Sequence, residues 1–224
     1  MNSLADWLAV HADGLSYLEV GGLGNPGLEH AGLALRAGAR RAVHMEPAPH
    51  PAAEWAPLRA ACAEFGDRFA ALTQDPRDGH ALLRKLPHFD IVHATLLFHE
   101  RDPFLLLERL SRHAKRYLVV NSVCIPEGLA EGAAVPGYLP GDPRLEIIRG
   151  VLEARGVMLE QFRRPPDHVE PNGIATWGGM WNWFQTAGAL RALVEHHGWR
   201  ITHAWPSWGD LGLTLLAERA VDLP

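Results

Sequence analysis

Glu19 stands at the end of the apolar run Tyr17–Val20 and two residues before a cluster of glycines. Gly22, Gly24 and Gly27 then fall in the spacing G-x-G-x-x-G, with Gly21 just ahead of them. A strand entering such a turn lets the backbone approach a nucleotide closely and aims a helix N-terminus at it. Glu46 follows Gly27 by 19 residues, in place to hold ribose hydroxyls. Glu19 bears on which nucleotide that would be. A dinucleotide lays an anionic pyrophosphate on the turn, and a carboxylate beneath it repels that charge. A sulfonium nucleotide brings a cationic sulfur, an ammonium group and no phosphate, so the carboxylate suits it better.

Other side chains invite chemistry, each with a plainer reading beside it. His99 follows a buried strand and could serve as a general base, because an imidazole titrating near neutrality suits proton removal; it could equally pack on a cofactor. His93, alternating with Val92 on that strand, reads as a satisfied core histidine. His196–His197 precede Gly198 at a helix end, where a cation offsets the helix dipole. Trp177, Trp181 and Trp183 are either core aromatics or an aromatic wall over a substrate. Arg163–Arg164 before two prolines read as a solvated loop or a grip on an acidic group. Histidines 88, 93 and 99 share neither a helix face nor a zinc spacing, so no metal site is expected from them.

The elements that position these residues alternate. Ser3 and Asp6 open a short helix carrying Leu4, Trp7 and Leu8. Strands are expected at about Ser16–Val20, Arg41–Met45, Arg68–Leu72, Phe89–Ala94 and Tyr117–Val123. Helices are expected to about Ala37, through Trp55–Phe65, at about Gly79–Lys85, and after the Asp102-Pro103 start. That rhythm predicts a parallel α/β sheet. It breaks between Cys124 and about Gln185, a Pro- and Gly-rich stretch with one helix expected at Pro143–Arg155, of the kind that forms a lid. A helix at Thr186–His197 and a hairpin, Trp199–Trp205 with Leu211–Glu218, close the chain.

Composition narrows the classes. With 224 residues the chain suits one domain, here 1–224 with 124–185 as an insertion. A net charge of −5 and only two lysines, Lys85 and Lys115, leave no evident phosphate track, so nucleic acid is not expected as a partner. No apolar stretch approaches the roughly 20 residues of a bilayer span, and no basic-then-apolar leader is visible. Two well-separated cysteines, Cys62 and Cys124, suggest reduced thiols and a cytoplasmic setting.

The stretches Leu-Glu-Val-Gly-Gly at 18–22, His-Met-Glu-Pro at 44–47 and Phe-Asp-Ile-Val-His-Ala-Thr-Leu-Leu-Phe-His-Glu-Arg-Asp-Pro at 89–103 resemble the class I S-adenosylmethionine-dependent methyltransferases of small molecules. The closing helix and hairpin are similar to that family's reversed last strand. The family's turn has glycine at two positions where this chain has Leu23 and Asn25. The resemblance implies a Rossmann-like three-layer α/β sandwich, with a mostly parallel seven-stranded sheet and an antiparallel last strand. It implies S-adenosyl-L-methionine as cofactor, with Glu19, Gly21, Gly22 and Gly24 under its methionine part. Glu46 would take the ribose, Asp75 the adenine amine, and Thr95 the neighbourhood of the methyl group. The expected function is methyl transfer to an O, N or C nucleophile of a small molecule. The rival readings are an NAD(P)-dependent oxidoreductase and a non-catalytic or non-methylating protein on the same fold.

Overall fold

The computed structural model describes residues 1–24, 30–76, 86–95, 97, 102–125, 168–169, 175–176, 185–207 and 212–220. The helices expected at 79–85 and 143–155 lie outside them, as do Gly27, His99, Arg163–Arg164, Trp177, Trp181 and Trp183.

Helix α1 (Leu4–His11) starts where Ser3 accepts a hydrogen bond from the Asp6 amide, and the Asp6 carboxylate accepts from the amide of Asn2. It leads into β1 (Ser16–Val20), α2 (Ala31–Arg36), β2 (Arg41–Glu46), α3 (Ala52–Cys62), a 3₁₀ segment (Ala63–Arg68) and β3 (Phe69–Thr73). Next come β4 (Phe89–Ala94), α4 (Pro103–His113) and β5 (Ala114–Ile125). Short strands β6 (His168–Val169), β7 (Ala175–Thr176) and β8 (Gln185–Thr186) precede α5 (Ala187–His196), β9 (Trp199–Ser207) and β10 (Gly212–Arg219).

The main sheet runs β3-β2-β1-β4-β5-β10-β9, with β8 added beside the end of β5. β1 to β5 pair in parallel, while β10 runs antiparallel to both β5 and β9. This is the expected seven-strand path with a reversed last strand, joined by one additional short strand. β6 and β7 form a separate two-stranded pair.

Side-chain alternation divides the core in two. Leu18 and Val20 of β1 pack with Leu106, Leu107, Leu110, Leu190 and Val194, so α4 and α5 cover that face. Tyr17 packs with Leu8, Ala34, Leu35 and Leu58, so α1 to α3 cover the other. Burying both faces is why β1 and β4 are buried along their whole length, their polar residues Ser16, Glu19, Asp90 and His93 included. No helix among the described residues is long and apolar enough to cross a membrane.

Candidate functional site

The carboxyl ends of β1, β2, β3 and β4 meet on one edge of the sheet, where open α/β sheets place their ligands. Val20 lies opposite Met45 and Ala94, and Glu46 opposite Thr73. Gly21, Gly22, Glu46, Asp75 and Thr95, five of the residues singled out in the sequence, therefore converge.

The turn after β1 depends on glycine. Gly21, Gly22 and Gly24 have φ of 80°, 92° and 77°, a region that side chains disfavour. Space is limiting as well at Gly22, where a Cβ would stand 2.7 Å from Thr95 Oγ1. Thr95 is buried under the turn, with its amide and its hydroxyl each donating to the Val20 carbonyl at 2.9 Å. Among the described residues nothing lies within 4 Å of a Cβ placed at Gly24. The turn thus packs against β4 on its Gly21–Gly22 side.

Glu46 ties that turn to β2. Its Oε1 accepts from the Leu23 amide at 2.7 Å and from His44 Nε2 at 2.8 Å, while its Oε2 lies 3.4 Å from His50 Nε2. Asp75 follows the end of β3 by two residues and is half-buried, and the neighbouring Gln74 amide donates to the Glu46 carbonyl at 2.8 Å.

Glu19 lies at the end of β1, two residues before the first glycine of the turn. Strand alternation turns it, with Tyr17, toward the α1–α3 face, and it is fully buried. The His30 amide donates to both its oxygens at 2.9 Å, and the Ala31 amide to Oε2 at 3.0 Å. These donors start α2, so the carboxylate satisfies a helix terminus that would otherwise lack partners. His30 Nδ1, His44 Nδ1 and His93 Nδ1 surround it at 3.3, 3.2 and 3.4 Å. Glu19 thus holds the start of α2 from beneath.

Electrostatics follow from this enclosure. Burial alone would raise the Glu19 carboxyl, but hydrogen bonds from His30, His44 and His93 outweigh it and hold the group well below the usual range. Burial also disfavours charge on His44, yet its bonds to Glu19 and Glu46 raise it to about 9. His44 is accordingly a cation at neutral pH, donating from both ring nitrogens and bridging the two acids. His93 goes the other way, lowered mainly by burial.

Sequence reasoning missed this histidine set. Its signal is register: Glu19 is the ladder partner of His44 on one side and of His93 on the other. His93 is in the core as expected, but Nε2 has no hydrogen-bond partner among the described residues, so it is only half satisfied. His88 lies ring-to-ring with His113 at 5.8 Å, away from the glycine turn. At the end of α5, burial and the neighbouring His196 push His197 down, which weakens the helix-dipole role expected of it.

The fold recurs in solved structures. Magnesium protoporphyrin IX methyltransferase from Synechocystis PCC 6803, with bound S-adenosylhomocysteine, superposes with a TM-score of 0.59 at 15% identity, covering 97% of this chain and 80% of that one. The fold is that of the class I methyltransferases. The 1,6-didemethyltoxoflavin-N1-methyltransferase of Burkholderia thailandensis gives 0.58 at 14% identity, covering 97% and 76%. The N-terminal domain of EvdMO1, solved with S-adenosylhomocysteine and D-fucose, gives 0.54 at 18%, covering 96% and 81%. No family model matches the sequence, and no curated protein matches it.

Proposed function

We propose that the protein transfers a methyl group from S-adenosyl-L-methionine to an oxygen, nitrogen or carbon nucleophile of a small molecule. The observation that carries this is the glycine turn, clamped to Glu46 at the carboxyl edge of a methyltransferase-fold sheet. Solved structures of the same fold hold S-adenosylhomocysteine and carry methyltransferase names, which supports the same cofactor here.

In this reading the turn at Gly21, Gly22 and Gly24 carries the methionine part, and the Oε2 side of Glu46 takes the ribose hydroxyls. Asp75 reaches the adenine amine and Thr95 backs the turn near the methyl group. Glu19 lies beneath the methionine part and holds the start of α2. When bound, the cofactor supplies a methyl group on a cationic sulfur whose charge is lost as the methyl leaves. The chain's own work is to align acceptor, methyl and sulfur and to exclude water. His99 is the proposed base for acceptors that lose a proton, Trp177, Trp181 and Trp183 the proposed substrate wall, and 124–185 the proposed lid.

Transfer is tested with methyl-labelled S-adenosylmethionine and acceptors presenting a phenol, an amine or an activated carbon. Label moving into one acceptor class is the expected result. Bound cofactor whose label enters none of them would contradict transfer and leave a binding protein.

A further inference from the structure

We propose that Glu19, His30 and His93 form a binding site for one zinc-class divalent metal ion beneath the glycine turn. Each residue offers a ligand atom, and the three atoms lie within 4.8 Å of one another. They come from β1, from the residue capping α2 and from β4, so an ion there would tie three elements together.

Glu19 Oε1 is 3.3 Å from His30 Nδ1 and 3.4 Å from His93 Nδ1, and it also accepts from the His30 amide at 2.9 Å. Tetrahedral metal bonds of about 2.0–2.2 Å place neighbouring ligand atoms about 3.3–3.6 Å apart. The two histidine spacings suit the edge of such a tetrahedron as well as a long hydrogen bond. Meanwhile the Ala31 amide and His44 hold Oε2, fixing the carboxylate's direction as outer-shell partners of metal ligands do.

His93 supplies the second observation. Its Nδ1 lies 2.8 Å from the Tyr17 hydroxyl, which can donate or accept, and 3.4 Å from Glu19 Oε1. Its Nε2 is buried with no hydrogen-bond partner among the described residues, a costly condition. A cation there would accept lone pairs from the carboxylate and from the two imidazoles at once. Tyr17 Oη, 2.8 Å from His93 Nδ1, is a candidate for a fourth position. Two imidazoles and one carboxylate suit Zn²⁺ better than Mg²⁺ or Ca²⁺, which prefer oxygen sets.

The site stands independently of methyl transfer, and so does its test. Metal-stripped full-length protein is titrated with Zn²⁺ by calorimetry and with Co²⁺ by visible absorption. One ion per chain, a tetrahedral Co²⁺ band and a Zn²⁺-dependent rise in melting temperature are expected. His30→Gln and His93→Gln should each weaken binding about 100-fold and abolish the melting shift. His203→Gln, on the partly exposed β9, should change neither. Circular dichroism checks folding, and if His93→Gln does not fold, His30→Gln decides alone. Absence of stoichiometric binding by the native chain, or undiminished binding by His30→Gln, would overturn the proposal.

Discussion

Glu46 does two things at once, clamping the Leu23 amide with Oε1 and leaving Oε2 toward the partly exposed His50. Glu46→Gln keeps an oxygen for the Leu23 and His44 donors but replaces one acceptor the ribose would use. It should weaken S-adenosylhomocysteine binding by about 10- to 100-fold, measured by calorimetry, and also lower the melting temperature, because the buried His44 cation loses one of its two anionic partners. Glycine substitutions separate conformation from space. Gly22→Ala combines a disfavoured φ with the Thr95 contact and should cost about 2–3 kcal/mol in urea unfolding. Gly24→Ala meets only the φ penalty and should cost about 1 kcal/mol. Gly21, Gly22 and Glu46 were legible because their types and spacing announce a turn and an acid beyond it. The surroundings of Glu19 were not. No spacing in the chain says that residues 44 and 93 flank it; only ladder register does.

Among the elements, the start of β4 is pinned to the start of β1 by a reciprocal pair. Asp90 Oδ2 accepts from the Ser16 amide at 2.9 Å and the Ser16 hydroxyl at 2.7 Å, while the Asp90 amide donates back to Ser16 Oγ at 2.9 Å. Burial would raise this carboxyl, but the Ser16 hydrogen bonds and the charges of Arg40 and Lys115 hold it below the usual carboxylate range. A depressed folded value gives stability that is present above the unfolded one and lost as pH falls through the folded one. Native protein should therefore lose stability below about pH 4, and Asp90→Asn should flatten that acid limb in melting temperatures followed against pH. At the other edge of the sheet, Asp102 caps α4 by accepting from the Leu105 amide at 2.9 Å. Asp102→Ala should cost about 1 kcal/mol in urea unfolding. The cap was legible from Asp-Pro, and the inner strands from their apolar runs. Element ends were less so: β5 extends to Ala114–Ile125 because it gains partners from β4, β10 and β8, and such pairing has no local signature.

At the scale of the whole molecule, alternation of strands and helices announces a parallel sheet, but periodicity alone does not order its strands. The order β3-β2-β1-β4-β5-β10-β9 came within reach through the motifs at 18–22, 44–47 and 89–103 and the terminal hairpin. That topology brings the glycine turn, Glu46, Asp75 and Thr95 to one edge, and the central claim is that this edge takes a sulfonium nucleotide. Calorimetric titration of the full-length protein with S-adenosylhomocysteine, and separately with NADH, tests it most directly. Saturable one-to-one binding of S-adenosylhomocysteine, with none of NADH, is the result predicted. Binding of NADH without S-adenosylhomocysteine, or of neither, would contradict it.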